Sequence, residues 1–374
     1  MSGTPDALRL AGLVGQPRVT AALERAFTSG RFHPSIIFHG PPGTGKLTAA
    51  IGLGRALLCV RPVEGGACGE CGSCRRIDAR SLRHPDLRVI LPESKPDFDR
   101  GEPAVEGVSG IDVQERQAAA VRHSGWEILI DRVRGAIGFV QRRPSEGGRS
   151  LLVVDQAHRL GGASGNALLK TVEEPPEHAV ILILTTDLHA LLPTIRSRCQ
   201  AVPFQLLPAD AIAAWLQSER GVAPVEARRR AALSGGRIGA ALEVDLDAYT
   251  ARREEILRTL ESFLRPPDAG QALWRAEQIA KAGETSTDDL ELLAGLLRDR
   301  MILAAAGPTA PGLLHADVAA RLQALPIGED GGVGALEAIE GALEGIARRG
   351  NRQMLLENAF LDLLPRPGAP RPGR

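Results

Sequence analysis

The first group of residues that could do chemistry is a phosphate-binding loop in the stretch HGPPGTGKLT, from His39 to Thr48. In the pattern G-x-x-x-x-G-K-[ST], glycine amides and the next helix N-terminus surround phosphates, lysine reaches their outer oxygens and the hydroxyl holds Mg²⁺. Gly40, Gly45 and Lys46 fit this pattern. Leu47, however, stands where the hydroxyl residue is expected. The loop is therefore predicted to lack its usual metal ligand.

The context of the loop favours a real phosphate site over a structural Gly/Pro turn. Ser35 to His39 has the composition of a short buried strand, and Leu47 to Cys59 carries Ala, Leu and Gly at helical spacing. Thr48 lies one residue beyond the hydroxyl position. Because one step along a helix rotates a side chain by about 100°, its hydroxyl is not expected to face the same metal.

A second group belongs to the same chemistry and ends the strand-like run LLVVD, Leu151 to Asp155. In ATP-hydrolysing proteins of this kind the strand-end aspartate organises Mg²⁺ and an adjacent glutamate polarises water. Gln156 follows here, and an amide cannot act as a general base. Leu47 and Gln156 together predict that the chain does not hydrolyse ATP, whereas binding of ATP or ADP as an unhydrolysed ligand remains open.

A third group consists of four of the five cysteines, which follow the predicted loop helix at Cys59, Cys68, Cys71 and Cys74. Four thiolates this close in sequence match a tetrahedral Zn²⁺ site, and the glycines between them allow tight turns. A closed four-thiolate shell leaves no position for a substrate, so the predicted role of the zinc is structural. Disulfide or redox chemistry is the weaker alternative.

The elements that must position these residues alternate between strand-like and helix-like runs in the first half of the chain. The strand-like runs are Ser35 to His39, Leu87 to Leu91, Leu151 to Val154, Val180 to Leu184 and Ala201 to Phe204. Such alternation predicts an α/β domain in which a parallel sheet carries helices on both faces.

Helical periodicity replaces the strand signals after Pro208. The helical runs are Ala209 to Ser234, Asp247 to Leu264, Ala269 to Ala282, Thr287 to Ala306 and Gly334 to Leu364. Residues from about 93 to 110 are predicted to form a flexible insertion, and residues 365–374 a disordered tail. The second half is therefore predicted to be all-helical.

The bulk composition predicts a cytoplasmic protein without membrane helices. The chain has 374 residues with an apolar share of 44%, which allows two or three domains with ordinary cores. Its longest apolar runs are much shorter than the roughly 20 residues of a membrane helix, and no targeting segment is evident. The formal net charge is zero, so any contact with nucleic acid is expected to be local.

These motifs, in their order, resemble the clamp-loader branch of the AAA+ proteins. The resemblance covers most of the first 245 residues: LVGQPRV, the phosphate loop, the cysteines, ILIDRVRGAI, DQAHRL, GNALLKTVEEPPE and LLPTIRSRCQ. It implies an AAA+ P-loop domain over residues 1–204 with a zinc module at 59–74. It further implies a small helical lid over 205–245 and an all-helical collar over 246–364 that holds the chain in a ring.

The resemblance also implies roles for individual residues. The degenerate nucleotide-binding set is Val14, Gly15, Gly40, Gly43, Gly45, Lys46, Leu47, Thr48, Asp155 and Thr186. Arg198, in the S-R-C motif, is implied to reach into a neighbouring subunit's ATP site as an arginine finger. Gly239 takes the place of a phosphate-sensing arginine, with Arg237 nearby but out of register. His158, which follows the acidic strand and could contact nucleotide, is interpreted from its position as a solvated surface residue.

The function implied by the resemblance is loading of the sliding clamp onto primed DNA by bacterial DNA polymerase III. The implied partners are the gamma/tau and delta subunits, the sliding clamp, and primed DNA through its backbone. Because Leu47, Gln156 and Gly239 depart from the gamma/tau pattern, the chain is expected to be a scaffold that donates Arg198 and has no polymerase or ATPase activity itself.

Two alternatives stay open. The first is an active ATPase of gamma/tau type in which Thr48 rescues the metal site, and Mg²⁺-dependent turnover by the isolated chain would favour it. The second is a nucleotide-binding zinc module that acts outside replication. Failure to co-purify with gamma/tau or delta would favour the second alternative.

Overall fold

The computed structural model describes residues 13–29, 32–63, 66–78, 81–93, 125–146, 148–281, 285–308, 310, 312–327, 329–347 and 350–364. The chain divides into two compact units, Met1–Glu243 and Val244–Arg374. The predicted tail and all of the predicted flexible insertion except Glu93 lie outside the described residues. Glu93 itself is buried and paired with Arg132. The three-domain division at residues 204 and 245 stays a prediction.

The first unit contains seven strands, nine α-helices and one short 3-10 helix (Ala157–Arg159) within its described residues. Its elements are α1 (Pro17–Thr28), β1 (Ser35–His39), α2 (Lys46–Leu58), α3 (Gly72–Arg76), β2 (Ile77–Asp78), β3 (Ser81–Leu82), β4 (Leu87–Ile90), α4 (Ile130–Gln141), β5 (Ser150–Val154), α5 (Gly162–Glu173), β6 (Ala179–Thr185), α6 (Pro193–Arg196), β7 (Gln200–Pro203), α7 (Ala209–Arg220), α8 (Pro224–Leu233) and α9 (Ile238–Glu243).

The central sheet has five parallel strands in the order β4-β5-β6-β1-β7, while β2 and β3 form a separate antiparallel pair. Strand β1 lies between β6 and β7, and Ile37 pairs with Ile183 on one side and Ala201 on the other. Because the carboxyl ends of parallel strands meet at one edge, the segments that follow β1, β5 and β6 converge there.

Helices cover both faces of the central sheet, as predicted. Ile36 and Phe38 pack with buried residues of α1 and α2, whereas Ile37, which points to the opposite face, packs with α4 and α5. This alternation follows from the two-residue period of a strand. Phe38 is fully buried, and burying a side chain of this size contributes about 1.5–3 kcal/mol to stability.

Three helices after the sheet form a small lid, α7 to α9, with its own apolar core. Val14 and Ile238 pack against this core. The single helical run predicted from Ala209 to Ser234 is wrong, because α7 ends at Arg220, Gly221 follows in the left-handed region (φ 65°) and α8 begins at Pro224. Glycine after a helix and proline at its first position are the usual signals for such a break.

The second unit is all-helical within its described residues, as predicted. Its helices are α10 (Leu246–Leu264), α11 (Ala269–Lys281), α12 (Thr285–Ala306), α13 (Ala319–Ala324), α14 (Glu329–Ala347) and α15 (Arg352–Asp362). The run predicted from Gly334 to Leu364 is two helices. Asn351 caps α15 by accepting a hydrogen bond from the Met354 amide at 3.1 Å, which is the preferred role of asparagine at a helix start.

No helix within the described parts of either unit combines the length and apolarity needed to cross a membrane. In the second unit, Phe263 and Phe360 meet in the core with ring centroids 5.6 Å apart. Apolar side chains of α10 and α15 thus pack together in one buried cluster, although each would be exposed on an isolated helix.

Candidate nucleotide pocket, arginine finger and metal centre

The phosphate loop leaves β1 at His39 and uses glycine where the backbone has a positive φ. These φ values are 135° at Gly40, 69° at Gly43 and 92° at Gly45, all in a region that residues with a Cβ rarely adopt. A Cβ at Gly40 would also lie 2.2 Å from the carbonyl oxygen of Phe204. The loop geometry therefore depends on glycine, and α2 begins directly after it at Lys46.

The ammonium group of Lys46 is part of the loop's own hydrogen-bond network. Its Nζ donates to the carbonyl oxygens of Gly40 at 2.7 Å and Pro41 at 2.6 Å. Burial lowers the pKa of Lys46 to about 8, and the Asp155 carboxylate partly offsets this shift. The lysine and the strand-end aspartate thus share one electrostatic environment, as the sheet topology requires.

Leu47 stands at the metal-ligand position of the loop pattern and makes hydrophobic contacts there. Its side chain is partly buried and packs against the core on the α1 and α2 side of the sheet. The Thr48 hydroxyl has no hydrogen bond to any residue that the structure describes. Neither residue supplies the hydroxyl that the intact loop pattern places on Mg²⁺.

Asp155 and Gln156 form the end of β5. Asp155 is buried, and its Oδ1 accepts a hydrogen bond from the Gln156 amide at 2.9 Å. Gln156 has a φ of 51°, a left-handed conformation that costs roughly 1–2 kcal/mol for a residue other than glycine. Strained backbone of this kind clusters at functional sites. The end of β5 therefore has the backbone conformation of a functional site, although Gln156 lacks a carboxylate.

Thr185, which ends β6, and Thr186, which follows it, have different surroundings. The buried Thr185 hydroxyl donates to the Asp187 carbonyl at 2.7 Å and accepts from the Asp187 amide at 3.1 Å. The Thr186 hydroxyl lies 3.3 Å from His158 Nδ1. His158 is half-buried, and its pKa is lowered by burial and by the Arg159 charge. His158 is thus partly exposed, and it lies within hydrogen-bonding distance of Thr186.

The lid contacts the phosphate loop through backbone atoms. The Gly239 amide donates to the Gly43 carbonyl at 3.0 Å, and a Cβ at Gly239 would lie 3.3 Å from Gly43 Cα. Arg237, which is out of register in the sequence, also lies beside the loop. A Cβ at Gly43 would be 3.2 Å from the Cβ of Arg237. Gly235 and Gly236, with φ values of 57° and 80°, form the turn that precedes these residues.

Gln16 is a site residue that sequence reasoning missed. Its buried side chain donates to the carbonyls of Gln205 at 2.7 Å and Thr44 at 3.4 Å, and it accepts from the Gln205 amide at 3.2 Å. It thereby joins the phosphate loop to the start of the lid. Val14 packs on the lid core, and Gly15 has a φ of 62° close to Leu207. A polar residue inside the motif LVGQPRV was the available signal.

Arg198 lies between α6 and β7, at the amino end of its strand. Its Nε is 2.7 Å from Glu173 Oε1. Its Nη1 donates to the Thr194 carbonyl at 3.1 Å and to the Ser197 hydroxyl at 3.3 Å. The side chain is 42% exposed. The structure therefore does not bring Arg198 together with the phosphate loop, which follows the carboxyl end of β1.

The four cysteines of the predicted zinc module come together in space. Their sulfur atoms all lie within 4.8 Å of one another, with separations of 3.6 Å for Cys59 and Cys68, 3.8 Å for Cys59 and Cys71, and 4.0 Å for Cys68 and Cys74. Sulfurs about 2.3 Å from a tetrahedral Zn²⁺ are separated by about 3.8 Å. All four are free thiols, so this cluster could hold a metal ion.

Backbone amides stabilise negative charge inside the cysteine cluster. The amides of Cys68, Cys71 and Cys74 donate to the preceding cysteine sulfurs at 3.3–3.4 Å. Burial opposes ionisation of Cys71, but backbone hydrogen bonds outweigh burial and lower its pKa to about 6. Burial raises the pKa of Cys74 to about 12. The donor set, four sulfurs with a stabilised thiolate, suits a thiophilic dication.

Comparison with known proteins identifies the family. The family model described as DNA polymerase III, delta subunit, matches residues 15–208, more than half of the chain. The chain belongs to this clamp-loader family of DNA polymerase III. The predicted family is thereby confirmed, and with it an AAA+ fold that consists of the parallel sheet with its phosphate loop and the helices that follow.

Relatives of both clamp-loader types are similar to this family member. It is 36% identical to DNA polymerase III subunit gamma/tau of Mycobacterium tuberculosis over 206 residues, which are 55% of this chain and 30% of that protein. It is 31% identical to subunit delta' of Pseudomonas aeruginosa over 240 residues, 63% of each chain. The chain thus spans less than two thirds of the length of these relatives.

The similarity to solved structures is more distant. A DNA polymerase III gamma subunit-related protein of Thermotoga maritima is 18% identical, with a TM-score of 0.37 over 91% of this chain and 98% of that one. The RuvB Holliday junction branch migration motor of Thermotoga maritima is 16% identical, with a TM-score of 0.38 over 84% and 89%.

Proposed function

We propose that this family member is a delta-prime-type subunit of the bacterial clamp loader, which donates Arg198 to the ATP site of a neighbouring gamma/tau subunit. The position of Arg198 carries this proposal. Strands β1 and β7 are parallel, with Ile36 beside Gln200 and His39 beside Pro203. Arg198 precedes this pairing and the phosphate loop follows it, so the strand length, on the order of 10 Å, separates them. The arginine is thus better placed to serve another chain's site.

The chain's own pocket supports a scaffold role without ATP hydrolysis. Leu47 packs into the core instead of offering a hydroxyl, and Gln156 cannot act as a general base. Gly239 brings backbone, and no arginine side chain, to the loop. ATP or ADP is proposed as an unhydrolysed ligand of this degenerate pocket, held by Lys46 and the loop glycines.

The cysteine cluster is proposed to bind structural Zn²⁺. Cys59, Cys68, Cys71 and Cys74 supply four sulfurs at distances that fit a tetrahedral shell. Such a shell would have no open position, so the metal would hold together the short elements α3, β2 and β3 without taking part in a reaction.

The remaining assignments follow from the proposed clamp-loader role. The partners are gamma/tau and delta subunits, the sliding clamp, and primed DNA contacted through its backbone, within the cytoplasm. The helical second unit acts as a collar in a hetero-oligomeric ring. Its function is to help load the clamp during DNA replication.

The decisive experiment is clamp- and DNA-stimulated ATP hydrolysis by the reconstituted complex. Arg198→Ala is expected to lower the rate, because a trans-acting guanidinium stabilises charge in the phosphoryl-transfer transition state. Lys46→Ala is expected to leave the rate near that of wild type. Arg143→Ala, at an exposed arginine, is the matched control. A wild-type rate with Arg198→Ala would contradict the proposal.

An active ATPase of gamma/tau type is the second candidate, favoured by the 36% identity to gamma/tau. In this case Thr48 would have to replace the missing metal ligand. Mg²⁺-dependent turnover by the isolated chain, abolished by Lys46→Ala, would support it. The same Lys46→Ala variant in the complex would then lower the rate, which the scaffold role does not predict.

A further inference from the structure

We propose that Glu173 is a positioning residue for Arg198 and that this pair sets the rate of ATP hydrolysis in the neighbouring subunit. The inference rests on the proposed function, in which Arg198 acts in trans. Glu173 ends α5, and its Oε1 lies 2.7 Å from Arg198 Nε. The two residues are 25 positions apart in the sequence, so this contact is tertiary.

The contacts of Arg198 orient its guanidinium plane. A guanidinium carries five N–H groups in a rigid planar fork. Nε lies 2.7 Å from Glu173 Oε1 in an ion pair, and Nη1 donates to the Thr194 carbonyl and the Ser197 hydroxyl. The two N–H groups of Nη2 have no partner among the described residues. The Nη1 hydrogen bonds and the ion pair with Glu173 therefore hold the guanidinium within the chain, and the Nη2 side remains for a ligand such as a phosphate.

The backbone that carries Glu173 is held in place by the packing of α5. Helix α5 ends at this residue because Pro175 and Pro176 follow closely, and proline disfavours helix in the residue before it. Val172 is buried in the core. Helix α5 also packs tightly on the start of α6, since a Cβ at Gly165 would lie 3.0 Å from Leu192 Cδ1. The two residues of the pair are thus held by helices that are fixed against each other.

The exposure of the pair argues for a role in positioning over one in stability. The side chains of Glu173 and Arg198 are 40% and 42% exposed, and water screens ion pairs of this kind so that they contribute little to folding. An ordered guanidinium, however, reaches a phosphate without first losing its rotamer freedom, and correct orientation accelerates reactions. Loss of Glu173 should therefore change activity more than stability.

The test uses the reconstituted loader with clamp and primed DNA. Glu173→Ala is expected to lower the kcat for ATP hydrolysis several-fold with the KM for ATP unchanged, in the same direction as Arg198→Ala. Glu173→Gln, which keeps an oxygen beside Nε but loses the negative charge, should restore part of the rate. The double variant should be no slower than Arg198→Ala alone, because Glu173 acts only through Arg198.

Glu174→Ala is the matched control, because Glu174 is exposed and adjacent but has no hydrogen bond or ion pair with Arg198. Its rate should equal that of wild type, and melting temperatures should agree among all variants. If Arg198→Ala lowers the rate while Glu173→Ala leaves or raises it, Glu173 does not position the finger. If Arg198→Ala itself has no effect, the proposed function fails and this inference fails with it.

Discussion

The Gly239 amide donates to the Gly43 carbonyl oxygen at 3.0 Å, so the first turn of lid helix α9 rests directly on the phosphate loop. A Cβ at Gly239 would lie only 3.3 Å from Gly43 Cα, which is backbone that cannot move aside as a flexible side chain could. Glycine in place of the expected arginine therefore removes a side chain and also lets the lid backbone approach the loop closely.

Restoring the expected arginine should not restore a phosphate sensor. Gly239→Arg is expected to lower the unfolding free energy by about 1–3 kcal/mol, since it overpacks the contact with Gly43, and to give no gain in ATP affinity. Thermal unfolding and titration calorimetry with ATP measure the two effects. Gly138→Arg in α4, where a Cβ meets open space, should leave the melting temperature at or above that of wild type. Tighter ATP binding without lost stability would contradict this expectation.

Lys46 should titrate near pH 8, well below the ordinary lysine value of 10.5. Between these values the unfolded chain binds more protons than the folded chain, so this residue makes stability rise with pH in that window. The protein has four lysines, at positions 46, 95, 170 and 281. Carbon NMR of labelled lysine side chains therefore gives a sparse spectrum, in which Lys46→Gln identifies the signal. A Lys46 signal that titrates near 10.5 would show that its burial is not maintained in solution.

The cysteine cluster should contain one zinc ion per chain. Cys74→Ser is expected to lose most of this metal and to lower the melting temperature, because Cys74 is fully buried and its sulfur is 4.0 Å from that of Cys68. Elemental analysis of the purified protein measures the metal. Cys199→Ser, outside the cluster, is the control and should keep it. Full metal content in Cys74→Ser would exclude the four-sulfur shell.

A buried polar network should stabilise the second unit. Asp299 Oδ2 accepts from the Leu314 amide at 2.9 Å, the His315 amide at 2.7 Å and His315 Nδ1 at 2.8 Å. Asp299→Ala leaves buried N–H groups unpaired, so it should lower the unfolding free energy by about 3 kcal/mol, measured by urea denaturation. The exposed Asp362→Ala should change it by less than about 0.5 kcal/mol. Equal effects of the two substitutions would exclude the network as a source of stability.

The secondary structure was predictable where the signal was local and strong. The buried strand from Ser35 to His39 has the predicted bounds, because a short apolar run between turn residues depends little on distant contacts. The breaks after Gly221 and before Asn351 were missed. Each depends on the conformation of a single turn or cap residue, which a hydrophobic period does not report.

The sequence by itself determined which chemistry the site can offer. Leu47 has no oxygen and Gln156 no carboxylate, and no fold can supply these atoms. Only the tertiary structure decided which residues meet: Glu173 with Arg198, and Gly43 with Gly239. Such contacts join segments far apart in the chain, and they arise from the packing of helices and strands, which local composition and spacing do not encode.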